Sequence, residues 1–206
     1  LQEGIPRLAI EYGGIQAFEE FVLARYFMFV QVYFHRTRRF FDIIFAKALE
    51  QILPNGTYPD STEEYLEWDD NRIIQLMKKH MTDVNECRWI IQRSVFPAII
   101  ETKAHPQIGD KRYFELQKKQ LIEHIGAEYF LEDYSADKMP HKIPMKVDTE
   151  NEKAIVIVNK KTNQLSTISD ESHIISHLTE KINIERLYVC EEKRVEAFEY
   201  LKTIIC

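Results

Sequence analysis

The chain of 206 residues has only three cysteines, Cys87, Cys190 and Cys206, and no two stand close enough for a zinc knuckle or a redox pair. Scattered, odd-numbered thiols exclude a disulfide framework and predict a reduced, cytoplasmic protein. Glycine is scarce too, at six residues. There is no Gly-rich phosphate loop, no GxSxG elbow and no Cys/His nucleophile arrangement. The longest uncharged apolar segment, residues 26–34, is about half of what spans a bilayer. Residues 1–7 have neither the basic start nor the apolar stretch of a signal peptide, so no membrane association is expected. Positive charge is in deficit, 27 Lys and Arg against 33 Asp and Glu, which disfavours general nucleic-acid binding. An initiating methionine is also missing: the chain opens LQEGIPRLAIEYGG, as though already inside a loop, and is expected to be a piece of a longer parent.

What is present stands out against that background. Residues 24–39 read ARYFMFVQVYFHRTRR, in which six of sixteen residues are aromatic or histidine and four are arginine. Around it, residues 15–52 carry apolar side chains at mixed three- and four-residue steps, predicting one or two long helices. Leu53-Pro54-Asn55-Gly56 ends them, since Pro cannot continue the helix and Asn and Gly accept the left-handed cap. Ser61 is a good N-cap with Glu64 at the capping-box position, opening a helix with an apolar stripe through Met77. Further helices are predicted over 84–91 and 113–125, with 96–101 a helical turn or a short strand and 128–144 irregular. Composition then shifts. AIVIV (154–158) and the polar turn 159–164 predict a strand and hairpin. A helix capped by Ser169, a strand over 187–190 and an amphipathic helix over 191–205 complete the chain. The fold class predicted is mainly α-helical, a helical lobe over residues 1–143, with a small α+β lobe over 144–206 at the C-terminus.

On a continuous helix, Arg25, Val32, Arg36 and Arg39 fall in one narrow band flanked by Phe29, Tyr33 and Phe40. The structural alternative is an aromatic core helix with a basic last turn, which suits a helix C-terminus. An arginine enclosed by Phe21, Phe27, Met28 and Phe29 would not be buried unpaired, because desolvation costs several kcal/mol. It calls for a carboxylate, such as Glu19 or Glu20, or for a phosphate, whose oxygens match the guanidinium fork. His173 and His177 stand at i,i+4, but no glutamate follows the first as the zincin pattern requires, and solvent-facing histidines are the simpler reading. Asp69-Asp70 with its acidic neighbours reads as a solvated face, and His141-Lys142 as a loop contact.

Together, ARYFMFVQVYFHRTRR, ILPNG, EYLEWDD and ADKMPHK resemble the C-terminal part of bacterial HD-domain phosphohydrolases of the deoxynucleoside triphosphate triphosphohydrolase type. That resemblance implies an HD-family C-terminal helical lobe that completes a nucleotide pocket. It also implies a parent enzyme, homo-oligomeric, that uses a divalent metal such as Mg²⁺ or Mn²⁺ to attack the α-phosphate of a nucleoside triphosphate, releasing deoxynucleoside and tripolyphosphate. By motif, Arg25 resembles the residue that contacts substrate phosphates, and Tyr33 the one that lies against the deoxyribose. His35 and Arg36 resemble the pair that contacts a regulatory nucleotide. Phe29 stands where the vertebrate relative's helix is polar. The family's metal ligands include a His-Asp dipeptide, and none of the seven histidines here precedes an aspartate, so neither a catalytic nor a metal-binding residue is assigned in this chain. The alternative is a non-enzymatic nucleotide-sensing or oligomerisation module. Purified chain incubated with Mn²⁺ or Mg²⁺ and each dNTP is expected to release no tripolyphosphate. Metal-dependent turnover that follows the chain through purification would overturn this.

Overall fold

The computed structural model describes residues 8–134, 155–178 and 181–205. The protein is mainly α-helical with a small α+β portion. After β1 (Ala9–Glu11), helix α1 (Ile15–Met28) runs into a π-helical turn, Phe29–Tyr33, and α2 (Arg36–Ile52) starts afresh. No glycine or proline lies between residues 15 and 53 to cause the break. Its cause is tertiary: Phe34 is buried, and its carbonyl, freed from the helix ladder, accepts a bond from Arg186 Nη2 at 2.7 Å. His35 caps the new helix through Nδ1, which accepts from the Thr37 amide at 3.3 Å. The α2 stripe Phe40, Ile44, Ala48 and Ile52 is buried at four-residue steps. Asn55 and Gly56 then take the predicted left-handed conformation, with φ of 56° and 72°.

The single helix predicted after Ser61 is two. Ser61 caps α3 (Thr62–Leu66), accepting from the Glu64 amide at 3.4 Å, and Asp69 caps α4 (Asp70–Lys79), accepting from the Arg72 amide at 2.8 Å. Next come α5 (Asn85–Gln92), β2 (Ala98–Glu101) and α6 (Ile108–Ile125), the last stopped by Gly126 at φ 110°. Residues 130–134, predicted irregular, form strand β3 (Phe130–Tyr134). Its inward positions are Leu131 and Asp133, and the buried aspartate hides the usual alternation of apolar and polar residues. The hairpin β4 (Val156–Asn159) and β5 (Gln164–Thr167) stands as predicted. Thr167, not Ser169, caps the following α7 (Ile168–Glu171) in a reciprocal box with Asp170. The chain closes with α8 (His173–Leu178), β6 (Glu185–Val189) and α9 (Arg194–Ile205).

The lobe boundary predicted at residues 143 and 144 lies outside the described residues. By their contacts the described residues group into two compact units that interleave along the chain. One comprises β1, α1 with its π turn, residues 103–105, β4, β5, α7 and α8. There β1 pairs parallel with β4, and Ile15, Val22, Ile157, Ile168 and Ile175 form the core. The other holds α2 to α6, β2, β3, β6 and α9. Strand β6 joins this second unit because it is the centre of the antiparallel sheet β2-β6-β3. Alternate β6 residues then serve two cores: Leu187 and Val189 meet Phe114 and Leu121 of α6 and Ala197 and Leu201 of α9, while Tyr188 meets Phe40 and Ile44 of α2. A third cluster joins Ala48 and Ile52 to Ile73, Met77 and Cys87. Among the described residues, no helix is long and apolar enough to cross a membrane.

Within the second unit one polar network crosses the sheet's α2 face. The Asp133 carboxylate is fully buried and takes a forked contact from Arg39, Nη2 at 2.7 Å and Nε at 3.2 Å from Oδ1. Its Oδ2 lies 3.3 Å from Nη1 of Arg186, itself 5% exposed, and Arg186 Nε bonds Glu101 at 2.9 Å. The bond to Asp133 raises the Arg39 pKa above its ordinary value against the opposing effect of burial, so Arg39 stays charged. Removing Asp133 would take the fully buried carboxylate from between two arginines. Among the described residues that leaves Arg186 only Glu101 and Arg39 only Asp42 at 3.6 Å as carboxylate partners, and breaking a buried pair in this way costs about 3–5 kcal/mol. Asp133→Ala is therefore expected to lower Tm by roughly 6–20 °C in thermal unfolding followed by circular dichroism. A shift within about 2 °C, equivalent to under 1 kcal/mol, would show the network to be dispensable.

Candidate functional site

Arg25 and Tyr33 belong to the first unit, His35 and Arg36 to the second. The band predicted for Arg25, Val32, Arg36 and Arg39 assumed an unbroken helix, and the interruption at Phe34 and His35 dissolves it. Arg39 is turned to Asp133, and Arg38 lies 3.8 Å from the Asp42 carboxylate. Nor is Arg25 enclosed by aromatics. Phe21 is 64% exposed and Phe27 47%, and Arg25 itself is exposed on the last turn of α1, where a cation suits the carbonyl end of the helix. Its guanidinium carbon lies 5.2 Å from the Phe29 ring centroid, and the Phe29 and Tyr33 rings are 5.1 Å apart at 55°. Arg25, Phe29 and Tyr33 thus form a ladder at four-residue steps, with Tyr33 41% exposed. A forked cation beside two aromatic rings can receive an anion and a ring or sugar side by side.

In the second unit the start of α2 borders a pocket of about 350 Å³. Arg36 and Thr37 form one wall, Phe96, Pro97 and Ala98 a second, and Arg194 and Phe198 from α9 a third. Both charged residues lining it are arginines. Arg194 is held at 3.3 Å by Glu191, while no ion pair engages Arg36 among the described residues. The first turn of α2 adds the partial positive charge of its amide end. Two guanidinium groups, a helix N-terminus and phenyl walls suit a phosphorylated ligand that carries an aromatic part. His35, predicted to contact a nucleotide with Arg36, spends its Nδ1 on the α2 cap and is absent from the pocket lining.

Sequence inspection had no means of finding Arg194, Phe96 and Phe198. Arg194 and Phe198 share a face of α9 at i,i+4, an ordinary surface pattern until the sheet brings α9 beside α2. His141-Lys142, Cys206 and the side chain of His177 lie outside the described residues. Burial raises the Cys87 thiol pKa, consistent with a packing role. Asp69 is occupied as the α4 cap. The resemblance implies a divalent metal, which needs several converging His, Asp, Glu or Cys ligands. Among the described residues no three such side chains come together to hold one. The described residues therefore do not fit that ion.

Comparison with known proteins fits this architecture. A family model described as "HD associated region" matches residues 4–198. An uncharacterized Bacillus subtilis protein, YwfO, is 23% identical over 197 residues, which cover 85% of this chain and 45% of YwfO. The crystal structure of a hypothetical protein from Aquifex aeolicus superposes with a TM-score of 0.73 at 23% identity, over 94% of this chain and 47% of that one. The fold is therefore shared, and the chain spans less than half the length of either relative. By the match over residues 4–198, the chain belongs to the HD-associated region family.

Proposed function

We propose that this chain is the phosphate-recognising part of an HD-domain nucleotide phosphohydrolase, one that converts a dNTP to deoxynucleoside and triphosphate. The observation that carries the proposal is the pocket at the start of α2, with Arg36 and Arg194 facing a space walled by Phe96 and Phe198. In this reading the pocket takes a regulatory nucleotide, its phosphates on the arginines and its base between the rings. The Arg25–Phe29–Tyr33 ladder is the substrate side, Arg25 contacting phosphate and Tyr33 the sugar. The resemblance supports a homo-oligomeric parent whose divalent metal is held by residues other than those described here. Membership of an HD-associated family and the half-length match to longer relatives support a parent of that kind.

A second reading, a nucleotide sensor without chemistry of its own, is favoured by one observation. Every residue lining the α2 pocket lies in a single unit, so the pocket is complete without any reacting group. Hydrolysis assays on the full-length parent separate the two.

Calorimetric titration of the chain with tripolyphosphate or a dNTP is expected to show binding that weakens as salt rises. Arg36→Ala and Arg194→Ala each remove a charge-assisted contact worth about 1.5–3 kcal/mol. Each should therefore raise Kd roughly tenfold to a hundredfold. Equal affinity in wild type and both variants would remove the pocket from the account. For the ladder, Arg25→Lys keeps charge but loses the fork, and in the full-length parent kcat/KM should fall roughly tenfold to a hundredfold. A lowered Tm with normal kcat/KM would instead assign Arg25 a structural role.

A further inference from the structure

The residues that hold the pocket's shape differ from those that line it. Strand β6 reaches each of its walls. The Tyr188 hydroxyl donates to the Arg36 carbonyl at 2.7 Å, and Arg186 Nη2 donates to the Phe34 carbonyl at the same distance. Tyr188 is also the register partner of Ala98 in the facing strand, and the Val189 amide bonds the Pro97 carbonyl at 3.1 Å. Helix α9, which supplies the third wall, follows β6 after one short turn and packs on its Leu187 and Val189 side. The first turn of α2 is therefore pinned at Phe34, Arg36 and, through Asp133, Arg39. An exposed arginine on a free helix end would have to be ordered by its ligand at an entropic cost. One whose backbone is already fixed has only its side-chain torsions to lose.

We infer that Tyr188 is a positioning residue for the anion pocket, holding the Arg36 backbone at the wall that Arg36 shares with Thr37. The inference rests on the pocket reading above and adds the residue that sets its affinity. Tyr188 is fully buried and touches none of the space itself. Burial pushes its hydroxyl pKa well above the ordinary tyrosine value, so the hydroxyl stays protonated and keeps donating. Tyr188→Phe retains the ring against Phe40, 5.5 Å between centroids, and removes only the donor.

The test is tripolyphosphate affinity of the whole chain, measured by calorimetry well below every variant's Tm, for wild type, Tyr188→Phe, Arg36→Ala and the double variant. Tyr188→Phe is expected to raise Kd roughly threefold to tenfold, the equivalent of one neutral hydrogen bond. In the Arg36→Ala background the same change should leave Kd unaltered, because the hydroxyl acts through Arg36. A purely structural tyrosine would lower Tm and leave Kd unchanged in both backgrounds, and that result overturns the inference. Equal, additive losses in both backgrounds overturn it too, since Tyr188 would then act without Arg36. If wild type binds no tripolyphosphate, the pocket reading fails first and takes this inference with it. If wild type binds and Tyr188→Phe matches it, the pocket stands and the role of Tyr188 falls.

Discussion

The constraint on which the second unit turns is the buried carboxylate of Asp133. Placing one ionised side chain under a sheet is unfavourable unless opposite charges go with it. Here Arg39 comes from α2 and Arg186 from β6, so satisfying Asp133 ties a helix to two strands at one point. Arg186 has donors left over and uses them on Glu101 and the Phe34 carbonyl. The break between the π turn and α2 follows from this. A continuous helix would engage the Phe34 carbonyl in its own ladder, and Arg186 would lose a partner that is itself buried.

From that break comes the chemistry available at the start of α2. A helix that begins at Arg36 frees first-turn amide groups that a helix running on from α1 would spend on its own ladder. The sheet then supplies the other walls, with Phe96 to Ala98 on the β2 side and Arg194 and Phe198 from α9. Two structural ion pairs, Arg39 and Arg186 with Asp133, thus sit behind one pocket lined by two other arginines. The buried arginines answer to the carboxylate, whereas Arg36 and Arg194 border open space, Arg194 with Glu191 at 3.3 Å.

How much of this the sequence discloses depends on whether the signal is local. The Asn55-Gly56 stop, the Ser61 cap, the hairpin after AIVIV and the Gly126 terminus all rest on short-range chemistry, and each stands where turn and cap residues put it. The failures are tertiary. Nothing within residues 24–39 announces a break, because it is made by Arg186, far along the chain. Strand β3 escapes notice because its inward residue is Asp133, a choice that makes sense only beside two arginines. Aromatic neighbours in sequence suggest a core around Arg25, but Phe21 and Phe27 are exposed. Of the candidate residues, Arg36 could be picked out by its basic cluster and the family likeness. Its neighbours Arg194 and Phe198 could not, since they share only the sheet with it.

The proposal on which the rest depends is that the pocket at the start of α2 takes the phosphates of a nucleotide. The most direct measurement is a ¹⁵N-edited NMR titration of the chain with tripolyphosphate, following backbone amides. Shifts concentrated at Arg36, Thr37, Phe96, Ala98, Arg194 and Phe198, and saturating together, are the predicted result. Shifts confined to other surfaces, or none at concentrations that saturate by calorimetry, would contradict it.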